Sequence, residues 1–195
     1  ASATVLSAAP AAAKALKTHP NEHFYKSDGS FDVEAAKAAY YEMFRHYNYP
    51  VVPRLQGEEF WAVDFGVGKF TEVGMAGIFW LNQKEQNYFG HEIFLLPGQM
   101  IPEHKHVKTP DAHGSVNMYG EGEPTPGVDN RIPPSHRACC QARAEKKLLP
   151  GEVGHLGGPA QWHWMRAGDQ GAIVTEYATY HDGAALRFSL EDIVF

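Results

Sequence analysis

His104 and His106 stand one residue apart in the segment Gly98-Gln99-Met100-Ile101-Pro102-Glu103-His104-Lys105-His106. In an extended backbone, residues i and i+2 project from the same face, so the two imidazoles can converge on one cation. If the segment is a strand inside a barrel, that face is the cavity. A third donor follows shortly, either Asp111 or His113. A fourth, His163, lies in Gly157-Gly158-Pro159-Ala160-Gln161-Trp162-His163-Trp164. Three imidazoles with a carboxylate or a fourth imidazole suit Mn, Fe, Co, Ni or Zn, and leave positions open for water or substrate. Alone, His104 and His106 would read as a charged surface pair. His163, in a Gly/Pro turn framed by tryptophans, shifts the reading to a metal site, as does the surplus of histidine, 11 in 195 residues.

Such a site needs elements to hold it. Asp32 is placed to cap a helix through Val33, Ala36, Tyr40, Met43, Phe44 and Tyr47, which ends near Asn48-Tyr49-Pro50. After Pro53 the pattern changes to short apolar or alternating runs: Glu59–Phe65, Met75–Leu81, Tyr88–Leu96, Ser115–Tyr119, Ala138–Leu148, Trp162–Arg166 and Ala172–Tyr180. Many short strands punctuated by Gly and Pro predict an all-β barrel or sandwich. Glu123 to Pro134, rich in Pro, Gly, Asp and Asn, is expected to be a loop. The organisation that follows is an N-terminal extension with one helix over residues 1–53, then a β-barrel over 54–195.

Composition narrows the function classes. With 44% apolar and 21% charged residues, the chain can bury a core. No run of 18 apolar residues occurs, so no membrane partner is expected. A formal charge of −6 with scattered Lys and Arg argues against a nucleic-acid partner. The cysteines, Cys139 and Cys140, are adjacent, and a disulfide between them would be strained, so they do not fix a redox compartment. The first 13 residues are small and uncharged, like the tail of an export signal, and point to an exported, periplasmic protein; a frayed cytoplasmic N-terminus is the alternative.

The motifs resemble the cupin superfamily. Gly98, His104 and His106 have the spacing of its first motif, and Leu149-Pro150-Gly151-Glu152 with Pro159 and His163 is similar to its second. The resemblance implies a single jelly-roll barrel with a metal inside. Within cupins, Ile101-Pro102-Glu103-His104-Lys105-His106-Val107-Lys108, Trp162-His163-Trp164, Thr175-Glu176-Tyr177 and Leu186-Arg187-Phe188 resemble the D-lyxose isomerase group. That likeness implies metal ligands His104, His106, Asp111 and His163, with His113 the rival for the third place. It also implies Glu176 as catalytic base, and gives Lys108 a supporting role. The expected cofactor is one divalent ion, manganese ahead of Zn, Fe, Co or Ni. The expected substrate is a small sugar and the expected assembly a homodimer.

Aldose–ketose isomerisation moves a proton between adjacent carbons, which needs an electrophile and a base. Trp162, Trp164, Tyr177 and Tyr180 are available to wall a sugar pocket or to fill the core. Two other classes carry the same ligands: a cupin Fe(II) oxygenase, which would consume oxygen, and a non-catalytic barrel that binds metal or sugar, which would turn nothing over.

Overall fold

The computed structural model describes residues 16–106, 117–155, 160–183 and 186–195. The single long helix among these residues, α1 (Val33–His46), starts where Asp32 accepts hydrogen bonds from the amides of Glu34 and Ala35, both at 3.1 Å. Just beyond its end, Asn48 takes a left-handed conformation at φ 51° and turns the chain away. The buried stripe of α1 is Ala36, Ala39, Tyr40, Met43 and Phe44. It packs on Phe60, Ala76, Ile78 and Phe94, with the Phe44 and Phe94 rings 4.6 Å apart.

Among the described residues nine strands follow: β1 (Phe60–Val63), β2 (Met75–Gln83), β3 (Tyr88–Leu95), β4 (Met100–His106), β5 (Asn117–Gly120), β6 (Ala144–Lys147), β7 (His163–Arg166), β8 (Ala172–Ala178) and β9 (Leu186–Phe188). They form a four-stranded sheet, β1-β2-β3-β8, and a five-stranded sheet, β6-β5-β7-β4-β9. Every pairing within them is antiparallel. This is the all-β jelly roll expected from the sequence, as two facing sheets rather than one continuously closed barrel.

Three apolar layers result. Alternation along each strand sends Met75, Ile93 and Val174 from one sheet to meet Ile101, Met118 and Met165 from the other. The outer face of the four-stranded sheet is covered by α1. On the outer face of the five-stranded sheet, Met100, Tyr119 and Trp164 are covered by Val128, Ile132, Cys140 and Ala142. The Glu123–Pro134 loop thus lies over a sheet, carrying one 3-10 turn, Val128–Arg131.

Two elements differ from the sequence expectation. Of Ala138–Leu148 only Ala144–Lys147 is a strand. The residues before it turn tightly, with the amides of Cys139 and Cys140 donating to His136 O, and then give the Gln141 and Ala142 amides to the buried Glu103 carboxylate. A side chain takes the donors that a neighbouring strand would have used. β9 was not among the expected strands; its three residues pair with β4 and are too short to show alternation.

β4 carries the feature that matters most for the site. Ile101 pairs with Met165 and His104 with His163, so three steps along β4 match two along β7. That is a β-bulge of one extra residue at Pro102-Glu103, where proline has no amide to give the ladder. Regular alternation from the inward Ile101 would turn Glu103 and Lys105 into the cavity. The bulge resets it, so His104 and His106 face inward and Glu103 faces the outer layer.

Candidate active site

His104, His106 and His163 each offer a ring nitrogen, and these atoms all lie within 4.8 Å of one another. His104 and His163 are directly cross-strand, and their ring centroids are 4.3 Å apart. His106 stands 5.1 Å from His104 and 5.3 Å from His163. The same device orients two of the three. His104 Nδ1 lies 2.8 Å from Pro102 O, and His163 Nδ1 lies 3.0 Å from Gln161 O, in each case the carbonyl two residues earlier. With Nδ1–H donating to a carbonyl, each Nε2 keeps its lone pair for the cavity. Burial pushes all three imidazoles toward the neutral form: His104 well below its ordinary value, His163 below it, and His106 down to about 4, with His163 adding to the effect at His104 and His106. Neutral imidazoles converging on one point form the donor set of a divalent metal ion.

The four-stranded sheet supplies the opposite wall. On β8, Ala172 and Val174 point inward, and Glu176 follows on the same face. Burial pushes the Glu176 carboxyl up, but His91, then His106 and His181, outweigh it and hold the group below the usual carboxylate range. His91 on β3 pairs in register with Glu176, its Nδ1 3.6 Å from the carboxylate. His181 follows β8 and stacks on Phe89 with ring centroids 5.1 Å apart. Asn82 of β2 clamps it by accepting from the His181 amide at 2.9 Å and donating to its carbonyl at 3.0 Å. Its ring is 6.1 Å from His106. Burial holds this imidazole, too, below its ordinary value. Phe65, Phe79, Phe89, Ile93, Phe188 and Phe195 make the rest of the cavity apolar. One wall therefore presents nitrogen donors and the facing wall a carboxylate.

No protein-family model matches the chain. Over 152 residues, 73% of this chain and 82% of the relative, it is 30% identical to D-lyxose/D-mannose isomerase of Thermosediminibacter oceani. Over 148 residues, 71% of this chain and 79% of the relative, it is 31% identical to D-lyxose ketol-isomerase of Cohnella laeviribosi. The chain belongs to the D-lyxose isomerase family. It is therefore an enzyme of the aldose–ketose isomerase class, which separates it from the oxygenase and non-catalytic readings. The fold of this isomerase is also that of L-ribose isomerase from Acinetobacter sp. DL28, with a TM-score of 0.67 at 12% identity over 88% of this chain and 95% of that one.

The structure brings His104, His106, His163 and Glu176 to one cavity, whereas Lys108, Asp111 and His113 lie outside the described residues. Trp162, Trp164, Tyr177 and Tyr180 do not line it. Trp164 is in the outer layer, stacked 3.6 Å from the Tyr119 ring, and Trp162 lies under Lys105. Tyr177 and Tyr180 are packed by Tyr88 and Lys84. The aromatic wall of this isomerase is made of phenylalanines instead. Sequence reasoning also missed His91 and His181. His91 carried a readable signal, a histidine at an inward position of the alternating run Phe89, His91, Ile93, Leu95. His181 carried none, because it lies beyond the end of a strand.

Proposed function

We propose that this isomerase holds one divalent ion on His104, His106 and His163, with Asp111 as fourth ligand, and interconverts an aldose and its ketose with Glu176 as base. The observation that carries the reading is the Glu176 carboxylate on the wall facing three imidazoles whose ring nitrogens converge within 4.8 Å of one another. The ion, manganese first, supplies Lewis acidity toward the adjacent carbonyl and hydroxyl oxygens of the open-chain sugar. Glu176 takes the proton from C2, leaving an enediolate, and returns it at C1 while the hydroxyl proton of O2 passes to O1, so the enzyme ends as it began. Its depressed pKa keeps it ready to accept. Lys108 supports the developing oxyanion. The phenylalanine walls exclude water while the proton is held. The names of the relatives point to D-lyxose and D-mannose, which share their configuration at C2 and C3, so aldoses of that configuration are the substrate class. The working assembly is a homodimer.

The test is metal analysis of the purified protein, then a panel of aldoses assayed anaerobically for ketose. D-lyxose and D-mannose should lead the panel, and deuterium from heavy water should enter C1 or C2 of the product. Turnover that requires oxygen, or no aldose converted with any divalent ion, would overturn the reading.

A further inference from the structure

We propose that His91 is the positioning residue of the base: it forms a His–Glu dyad with Glu176 across β3 and β8, and its Nδ1–H keeps that carboxylate ionised and aimed into the cavity. The inference rests on the reading of Glu176 as base.

The geometry is over-determined. His91 and Glu176 are register partners, so their backbones fix the approach of the side chains. Nδ1 stands 3.6 Å from the carboxylate, a separation of the kind that tightens when a substrate closes an active site. The ring is 5% exposed, stacked on Trp61 at 5.7 Å and flanked by the edges of Phe79 and Phe89. On its far side, Nε2 is buried without a hydrogen-bond partner among the described residues. A Cβ at Gly77 would stand 2.5 Å from that Nε2, so glycine is the residue that lets the imidazole sit there.

The orphaned Nε2 decides the tautomer. A proton on Nε2 would be buried with no acceptor, at the cost of an unpaired polar group. A ring proton therefore sits on Nδ1, on the side of Glu176, 3.6 Å from its carboxylate. The other titratable groups facing Glu176 are His106 and His163 from the opposite sheet and His181 from the loop after β8. His91 is the one in register with it. In the reaction, His91 keeps its proton throughout. Glu176 alone accepts the carbon-bound proton and gives it back, so the dyad gains and loses nothing over a cycle. Without the donor, the apolar surroundings act on Glu176 unopposed. Its pKa rises and less of it is ionised at a given pH.

The experiment compares pH profiles of kcat/KM for the metal-loaded wild type, His91→Leu, His91→Asn and Glu176→Gln. Leu removes the donor; Asn can present an amide N–H at the position of Nδ1. His91→Leu should move the acid limb to higher pH by about one unit, a roughly tenfold loss at acid pH that shrinks as pH rises. His91→Asn should return the limb toward the wild-type position. An unmoved limb in a folded His91→Leu overturns the inference, and so does a limb that Asn fails to restore. If Leu does not fold, the Asn variant and Gly77→Ala, which displaces the ring, carry the same comparison: a wild-type limb in Gly77→Ala overturns it. Glu176→Gln separates the two levels. Full activity there sinks the base assignment itself, whereas loss there with an unmoved His91→Leu limb sinks only the dyad.

Discussion

Two buried glutamates stand on opposite sheets, and they are built for opposite ends. Glu103, on the outer face of β4, is fully buried, and one oxygen takes the amides of Gln141 at 2.6 Å and Ala142 at 2.5 Å and the Cys140 thiol at 3.5 Å. Burial, then Glu103, pushes that thiol's pKa up, so it stays protonated and donates. Glu176, on the inner face of β8, has one side-chain partner among the described residues, His91, and faces a cavity. A carboxylate with one oxygen held by two backbone amides and a thiol is a clasp: it fixes the 136–142 turn to the sheet and lies in the outer layer, away from the cavity. A carboxylate with an imidazole at its side and open space in front of it can exchange a proton. Burial alone does not distinguish structural from reactive glutamate; the number and kind of donors does.

The largest effect that tests this contrast is expected at Glu176. Glu176→Gln should lower kcat by about 10²–10⁴-fold with metal content unchanged, because shape is kept and the base is lost. Its thermal midpoint should stay at or above that of wild type, since no backbone donor depends on it. The reverse pattern is expected for Glu103→Ala. The buried Ala142 amide and the half-buried Gln141 amide lose their acceptor, which should cost about 2–4 kcal/mol in denaturant unfolding while kcat per folded molecule holds. If Glu103→Ala abolished turnover without loss of stability, the contrast would fail.

Acid sharpens the same comparison from the outer layer. His136 lies fully buried in the turn that the clasp holds, its Nε2 without a partner among the described residues, and burial depresses its pKa to about 4. The unfolded chain therefore takes up this proton first. Its contribution to stability is complete above about pH 6.5 and is lost as pH falls toward 4. Wild type should lose about 1–3 kcal/mol over that window relative to His136→Phe, read from urea midpoints at each pH. A pH-independent difference between the two would remove His136 from the account. The smallest effect is expected at the rim of the cavity. His181→Phe keeps the stack on Phe89 and removes the ring nitrogens, and should raise KM several-fold, about 1 kcal/mol, with kcat less affected.

The helix was legible because its signals are local: an Asp cap, a 3.6-residue apolar stripe and an Asn just beyond the end. The shared face of His104 and His106 was legible because strand alternation is also local, whereas Glu176 was singled out by the family likeness, its strand alone reading as well as a solvent-facing one. The rest depends on contacts between distant segments. Nothing near Ala138 says that its neighbours will satisfy Glu103, some forty residues away. His91 became a partner of Glu176 only through the register of β3 on β8. The tryptophans beside His163 framed the motif well enough to mark it, yet alternation alone places Trp164 on the face opposite His163, away from the cavity.

The bulge at Pro102 makes β4 a strand with two reading frames. Before it, odd-numbered residues face the cavity; after it, even-numbered ones do. A strand that changes phase in its middle holds one residue more than its partner requires. Removing that residue would straighten β4 and bring both frames into step, with Ile101, His104 and His106 still facing inward. What would go is the Pro102 carbonyl that fixes the His104 tautomer. The spare residue therefore separates two properties that a regular strand would bind together: which way a ligand points, and which of its nitrogens it offers.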